Sequence, residues 1–264
     1  MNRVVGTHDI ALITLDTLRY DVAVTEMARG HTPNLARLLG AWEERHSPGS
    51  FTFAAHAAFF AGFLPTPARP GRHPRLFAAR FAGSETTAGS TWVFDAPDLV
   101  TGLRAQGYHT ACIGGVGFFN KQSPLGSVFP ALFDESHWSP SLGVTEARST
   151  EHQVALATSI LARVPAHRRV FLFLNISALH QPNKMYLPGA EQDSIESHAA
   201  ALAYVDAQIP PLFEALTRRG PSLAILCSDH GTLYGDDGHH GHRVGHPAVW
   251  TVPYAEVLLP EIPR

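Results

Sequence analysis

The sequence predicts a doubly wound α/β fold, a mostly parallel sheet flanked by helices. Three observations carry this. Five apolar runs of strand length are nearly continuous instead of alternating, which suits strands buried on both faces. Helical patterns lie between those runs. The chain has 264 residues, 45% hydrophobic and 16% charged, enough to bury a sizeable core without disulfides. No linker divides it, so residues 1–264 read as one domain.

The apolar runs are residues 10–15, 109–114, 170–176, 223–227 and 254–259. Thr32-Pro33-Asn34 opens the first helical pattern, with Thr32 as N-cap and proline in the first turn, ahead of Leu35, Leu38, Leu39 and Trp42. Residues 54–60 form a short apolar helix. Residues 97–106 carry Leu99, Val100 and Leu103, and Gly107 is the expected stop. Residues 150–163 and 197–218 are amphipathic, and Pro210-Pro211 should kink or break the second. Residues 64–96 and 180–194 read as irregular. The first contains Arg69, Arg72, Arg75 and Arg80 with no acid before Glu85, either a solvated loop or a lip that attracts anions.

Twenty basic and 23 acidic residues give a formal charge of −3, which argues against nucleic acid as the main partner. Cys112 and Cys227 each sit in an apolar run and read as buried thiols. No apolar leader precedes the first strand, and no apolar stretch reaches the roughly 20 residues that span a bilayer. The expectation is a cytoplasmic protein without membrane contact. Histidine is the outlier: there are sixteen, and His230, His239, His240, His242 and His246 fall close together.

Ligands of open α/β sheets gather at the carboxyl ends of the strands. Asp16 follows the first run, His180 the third, and Asp229-His230 the fourth. Carboxylates with imidazole suit zinc, manganese or another divalent ion. One such residue alone is more often a cap than a ligand; three strand ends delivering them to one sheet edge is a stronger signal.

The ordered motifs extend this. The chain shows Asp16 to Arg19, Thr32-Pro33-Asn34-Leu35, Thr52 ten residues before Gly62, Gly107-Tyr108-His109-Thr110, His180-Gln181-Pro182 and Ser228-Asp229-His230-Gly231. In that order they resemble the sulfatase-like branch of the alkaline phosphatase superfamily, across nearly the whole chain. The resemblance implies an alkaline phosphatase-like fold, here without the usual C-terminal subdomain. It implies a divalent cation, zinc or manganese, held by Asp16, Thr52, Asp229 and His230, with Thr52 as the catalytic nucleophile. His180 would contact the substrate or its leaving group. His56, at the place of a sulfatase arginine, would hydrogen-bond nucleophile or substrate. His246 lies near a position where two-metal relatives hold a second ion, and His242 is the best further ligand in the loop.

Departures from the pattern shape the expected activity. Sulfatases oxidise a Cys or Ser to formylglycine, which Thr52 cannot form. This favours relatives that act on phosphorus with an unmodified hydroxyl. Ser50 is the rival nucleophile. Thr17 replaces a second acid, and Gly114-Gly115 stand where a lysine is usual. Ile176 stands where two-metal relatives carry an acid, which favours one ion over two. The expected function is metal-dependent hydrolysis of a phosphoester, phosphodiester or related ester. A phospho-group transferase on the same site, or a catalytically idle metal-binding scaffold, are the alternatives. The expected partner is a small anionic ester, with specificity set by residues 64–96 and 180–194.

Overall fold

The computed structural model describes residues 3–62, 77–78, 92–93 and 98–260. In chain order the elements are β1 (Asp9–Leu15), α1 (Tyr20–Ala28), α2 (Pro33–Leu39), β2 (Glu43–His46), α3 (Thr52–Ala61), β3 (Phe77–Ala78), β4 (Trp92–Val93), α4 (Leu99–Ala105) and β5 (His109–Ile113). There follow β6 (Glu135–His137), α5 (Ser149–Arg163), β7 (Val170–Ile176), α6 (Ile195–Gln208), α7 (Pro210–Arg219), β8 (Ser222–Cys227), β9 (Leu233–Tyr234), β10 (His240–Gly241), α8 (Pro247–Trp250) and β11 (Thr251–Leu259).

The main sheet runs β2-β11-β8-β1-β7-β5-β6. From β8 to β6 all neighbours are parallel; β11 is antiparallel to both β8 and β2. The parallel centre explains the continuous apolar runs: every residue of β1 and β7 is buried. Successive side chains of β1 serve opposite faces. Ala11, Ile13 and Leu15 join a core with Leu161, Leu202 and Leu212 from α5, α6 and α7. Ile10 and Leu12 join the other, with Phe60, Phe129, Phe171 and Phe173. Two cores on the two faces of one sheet are what a doubly wound chain requires.

The expected strands and helices form, within a few residues at each end. The break foreseen at Pro210-Pro211 falls at Ile209, where α6 ends and α7 begins. Among the elements not anticipated are α1, β2 and β6. α1 buries Glu26 beside Val22 and Ala23, which blurs its apolar stripe. β2 is four polar, exposed residues, and β6 only three; edge strands need no apolar run. One capping assignment is corrected. Thr32 precedes α2 but makes no cap with its side chain. Asp206 from α6 takes the work instead, accepting from the Leu35 and Asn34 backbone N–H groups at 2.6 and 3.2 Å. Cys112 and Cys227 are buried free thiols; burial pushes the Cys227 thiol up to about 12. The arginine-rich expectation for residues 64–96 falls outside the described residues.

Candidate metal centre and active site

Asp16 stands just beyond β1, and Asp229 and His230 just beyond β8, at neighbouring ends of paired strands. All three are fully buried. One ligand atom from each lies within 4.8 Å of the others, and among the described residues they form the one such group of three.

Each group presents an uncommitted atom. Asp229 Oδ1 accepts from the Thr17 N–H at 3.2 Å and the His230 N–H at 3.1 Å, while Oδ2 is buried without a hydrogen-bond partner. Asp16 Oδ2 accepts from Asn175 Nδ2 at 3.0 Å, while Oδ1 is buried and unpartnered. His230 Nδ1 lies 2.9 Å from the Gly231 carbonyl. A carbonyl only accepts, so Nδ1 carries the proton and Nε2 keeps its lone pair. That nitrogen lies 3.4 Å from Asp229 Oδ2 and 3.3 Å from Thr52 Oγ1.

Buried carboxylate oxygens without partners cost free energy unless a cation meets them. Burial pushes both carboxyls up, and Asp229 raises Asp16 further; burial also pushes His230 down. Two carboxylates and a neutral imidazole of fixed tautomer fit a zinc- or manganese-type cation.

The backbone around this cluster is held by close approaches. A Cβ on Gly231 would meet the Ala248 carbonyl at 1.9 Å, so only glycine fits after His230. Thr17 adopts φ +67°, an unusual conformation for a β-branched residue. Its N–H bond to Asp229 and its hydroxyl bond to the Leu179 carbonyl, 3.1 Å, hold it there. The sequence shows Thr17 as a missing acid; the structure gives it two anchoring bonds.

Thr52 is the first residue of α3, and no side chain caps that helix. Its hydroxyl faces His230 while the helix N-terminus points its free N–H groups to the same end. Ser50 precedes it, and its carbonyl accepts from the Arg243 N–H at 2.8 Å. His56 lies one turn on, behind Thr52. Nδ1 donates to the Thr52 carbonyl at 2.8 Å, and Nε2 accepts from the Thr14 hydroxyl at 3.2 Å. Its ring packs against Phe59, Phe119 and Phe173, and burial pushes it down to about 3. The expectation that His56 meets nucleophile hydroxyl or substrate is therefore corrected. Both ring nitrogens are used, Asp229 Oδ2 lies 3.6 Å from Nδ1, and the residue supports the turn that carries Thr52.

His180, past β7, donates Nδ1–H to the Gln181 carbonyl at 2.5 Å, which leaves Nε2 as its basic nitrogen. The His242 ring centre lies 4.6 Å from that of His230 and 5.4 Å from that of His180. Its Nδ1 is buried without a partner, and burial pushes it down to about 3. Thr52, His180, His242 and Arg243 share one cavity of about 330 Å³. His246 does not join them. Its Nδ1 accepts from the Ala248 N–H at 3.1 Å, its Nε2 donates to Asp237 at 3.2 Å, and it lines a different cavity beside Arg19 and Asp236. Expected as a metal ligand, it is instead the cap of α8.

Two contributors escaped sequence reasoning. Asn175 spends its whole amide on structure: Oδ1 accepts from the Gly115 and Val116 N–H groups, both at 3.2 Å, and Nδ2 donates to Thr14 and Asp16. Gly115 packs so close that a Cβ would lie 2.5 Å from the Asn175 carbonyl; the familiar lysine has no room there. Arg243, at φ +70°, lies in the glycine-rich loop where the histidines drew all attention.

With this geometry in place, comparison with known proteins is decisive. A family model described as Sulfatase matches residues 8–255. The chain belongs to the sulfatase family. Its fold is that of the alkaline phosphatase superfamily, and solved structures agree. The soluble domain of lipooligosaccharide phosphoethanolamine transferase A from Neisseria meningitidis superposes with a TM-score of 0.66 at 14% identity, covering 96% of this chain and 77% of that one. The C-terminal periplasmic domain of EptC from Escherichia coli, in complex with zinc, gives 0.66 at 13%, covering 96% and 74%. An alkaline phosphatase superfamily protein from Vibrio parahaemolyticus gives 0.61 at 16%, covering 97% and 61%. At such identities the likeness is one of fold. A comparison with curated proteins finds no match. In this sulfatase-family chain, among the described residues, no helix is long and apolar enough to cross a membrane.

Proposed function

We propose that this chain is a metal-dependent hydrolase of phosphorus esters in which Thr52 is the nucleophile. One observation carries the reading: the Thr52 hydroxyl heads a helix 3.3 Å from His230 Nε2, beside two carboxylates that each keep an oxygen free. A zinc or manganese ion bound by Asp16, Asp229 and His230 would supply Lewis acidity, making a hydroxyl more nucleophilic and offsetting charge on the ester oxygens. Thr52 Oγ1 attacks phosphorus; its new O–P bond forms as the bond to the leaving alcohol breaks. Water then cleaves the threonine ester and returns the hydroxyl. His180 Nε2 serves as the base that moves a proton between entering and leaving oxygens. The free N–H groups at the start of α3 face the phosphoryl oxygens. Asn175 holds Asp16, and His56 holds the Thr52 turn; both are positioning residues.

Threonine cannot become formylglycine, which favours phosphorus over sulfate esters. The substrate is then a small anionic ester. A second reading is supported by the relatives: a structural neighbour is described as a phosphoethanolamine transferase. On the same site, an acceptor alcohol would replace water in the second step.

The test is turnover of bis-p-nitrophenyl phosphate, p-nitrophenyl phosphate and p-nitrophenyl sulfate by zinc- or manganese-loaded protein, with Thr52→Ala beside it. Hydrolysis of a phosphorus ester that falls on the order of a thousandfold in the variant supports the reading. Phosphoryl transfer to an added alcohol in preference to water would favour the transferase. A higher kcat/KM on the sulfate, or full activity in Thr52→Ala, overturns it.

A further inference from the structure

The lining of the cavity in front of Thr52 falls into two unlike groups. One is polar and holds Thr52, His180, His242 and Arg243. The other is a wall of Phe118, Leu125 and Val144, three apolar side chains that are only half-buried. Apolar surface turned toward a catalytic hydroxyl gains free energy when a ligand covers it, and concave apolar walls with a few convergent polar groups are how small-molecule sites are built.

The wall is tied to the nucleophile. The Phe118 ring centre lies 5.4 Å from Phe53 and 6.4 Å from Phe51, the residues on either side of Thr52. The Arg243 guanidinium sits 5.5 Å from the centre of the Phe51 ring. One aromatic cluster therefore fixes the distance between cation, hydroxyl and wall. The turn behind the wall is tight: a Cβ on Gly126 would meet Asn120 Oδ1 at 2.5 Å and the Gly117 carbonyl at 2.9 Å.

Charge narrows the ligand. The carboxylates of Asp16 and Asp229 match the charge of one divalent cation. Among the described residues lining the cavity, Arg243 is the one arginine or lysine. A single remaining positive charge balances a monoanion and leaves a dianion half compensated.

We propose that the substrate is a singly charged phosphorus ester bearing a flat aromatic group, which seats on Phe118 while its phosphoryl oxygens face Thr52 and Arg243. This rests on the reading that Thr52 attacks a phosphorus ester, and it names Phe118 as a specificity-determining residue.

The test measures binding, not turnover. Zinc-loaded Thr52→Ala protein is titrated calorimetrically with diphenyl phosphate, dimethyl phosphate and, at a pH where it is a dianion, phenyl phosphate. Diphenyl phosphate should bind at least about tenfold more tightly than dimethyl phosphate, given the area a phenyl ring buries, and more tightly than phenyl phosphate. Adding Phe118→Ala should bring the two diesters close to parity. Leu125→Ala, in the same wall, should lower the preference for diphenyl phosphate if the first variant fails to fold. Equal binding of the two diesters, tighter binding of phenyl phosphate, or a ratio unmoved by both wall variants would overturn the proposal while leaving Thr52 as nucleophile. Binding of none of the three would overturn both.

Discussion

His230 and His246 lie sixteen residues apart at the two ends of one glycine-rich stretch, and they show how a histidine that keeps a ring nitrogen open differs from one with both committed. His230 spends one ring nitrogen on the Gly231 carbonyl and turns the other to Asp229 and Thr52. His246 spends both, one on the Ala248 N–H and one on Asp237. The acids divide the same way. Asp16 and Asp229 each keep a buried oxygen free, whereas Asp236 meets Arg19 at 2.8 Å and Asp237 is 85% exposed. Density of histidine along the chain is thus a poor guide to metal affinity. The guide is how many ring and carboxylate atoms the protein leaves unsatisfied in a buried place.

The largest effect expected from this contrast is at Asp229. Asp229→Ala removes a ligand and leaves Asp16 as the only carboxylate in the cluster. Bound zinc or manganese, measured by elemental analysis after dialysis, should fall to background. Phosphorus-ester turnover should drop on the order of a thousandfold or more. Full metal content in this variant would place the cation elsewhere.

Asn175 comes next. Asn175→Ala frees Asp16 Oδ2 and unties the turn at Gly115 and Val116 without removing a ligand. Metal affinity should weaken by about ten- to a hundredfold, the usual cost of losing a group that orients a ligand. Competition with a chelator of known affinity measures it; an unchanged affinity would show that Asp16 is held by its burial alone.

These two variants also mark how far the sequence could be read. Asp16, Asp229 and His230 were legible because a parallel sheet brings the ends of apolar runs to one edge, whatever the loops do. The position of Thr52 at the head of α3 was legible from its family spacing to Gly62, ten residues on. Asn175 was not legible as the group that holds Asp16, because its four bonds reach Thr14, Asp16, Gly115 and Val116, all of them far away in sequence. His56 was placed correctly but misassigned, since spacing cannot say that both nitrogens of a buried ring are taken. Arg243 and the Phe118 wall depend on loops packing against the Phe51–Phe53 segment, and no local pattern announces that.

A subtler expectation concerns His198, buried behind the site. It accepts from the Arg19 N–H at 3.4 Å and lies 3.2 Å from the Leu179 carbonyl that also anchors Thr17. Burial pushes it from 6.5 down to about 4. A histidine whose folded value is depressed binds its proton less readily than the unfolded chain does. Stability is therefore present above 6.5 and is lost as pH falls toward 4. The loss approaches roughly 3 kcal/mol at most, by the linkage of about 1.4 kcal/mol per pH unit. His198→Asn should flatten that part of the stability-versus-pH curve measured by urea unfolding. An equally steep acid limb in the variant would assign the loss to other groups.

The smallest effect should come from His246→Ala, and it bears most directly on the contrast with His230. The ring caps a four-residue helix and meets a carboxylate that is largely in water. Removing it costs one cap, about 1 kcal/mol, and an exposed pair worth little. Metal content should stay the same, because neither ring nitrogen is free and the residue lines a cavity other than that of Thr52. Activity should change by no more than a few-fold, through small shifts of the loop that carries His242. The measurement is metal equivalents per chain in parent and variant, prepared side by side. Two equivalents in the parent and one in the variant would mean that His246 leaves its cap to bind a second ion, and the line drawn between satisfied and unsatisfied histidines would then fail at the residue where it is clearest.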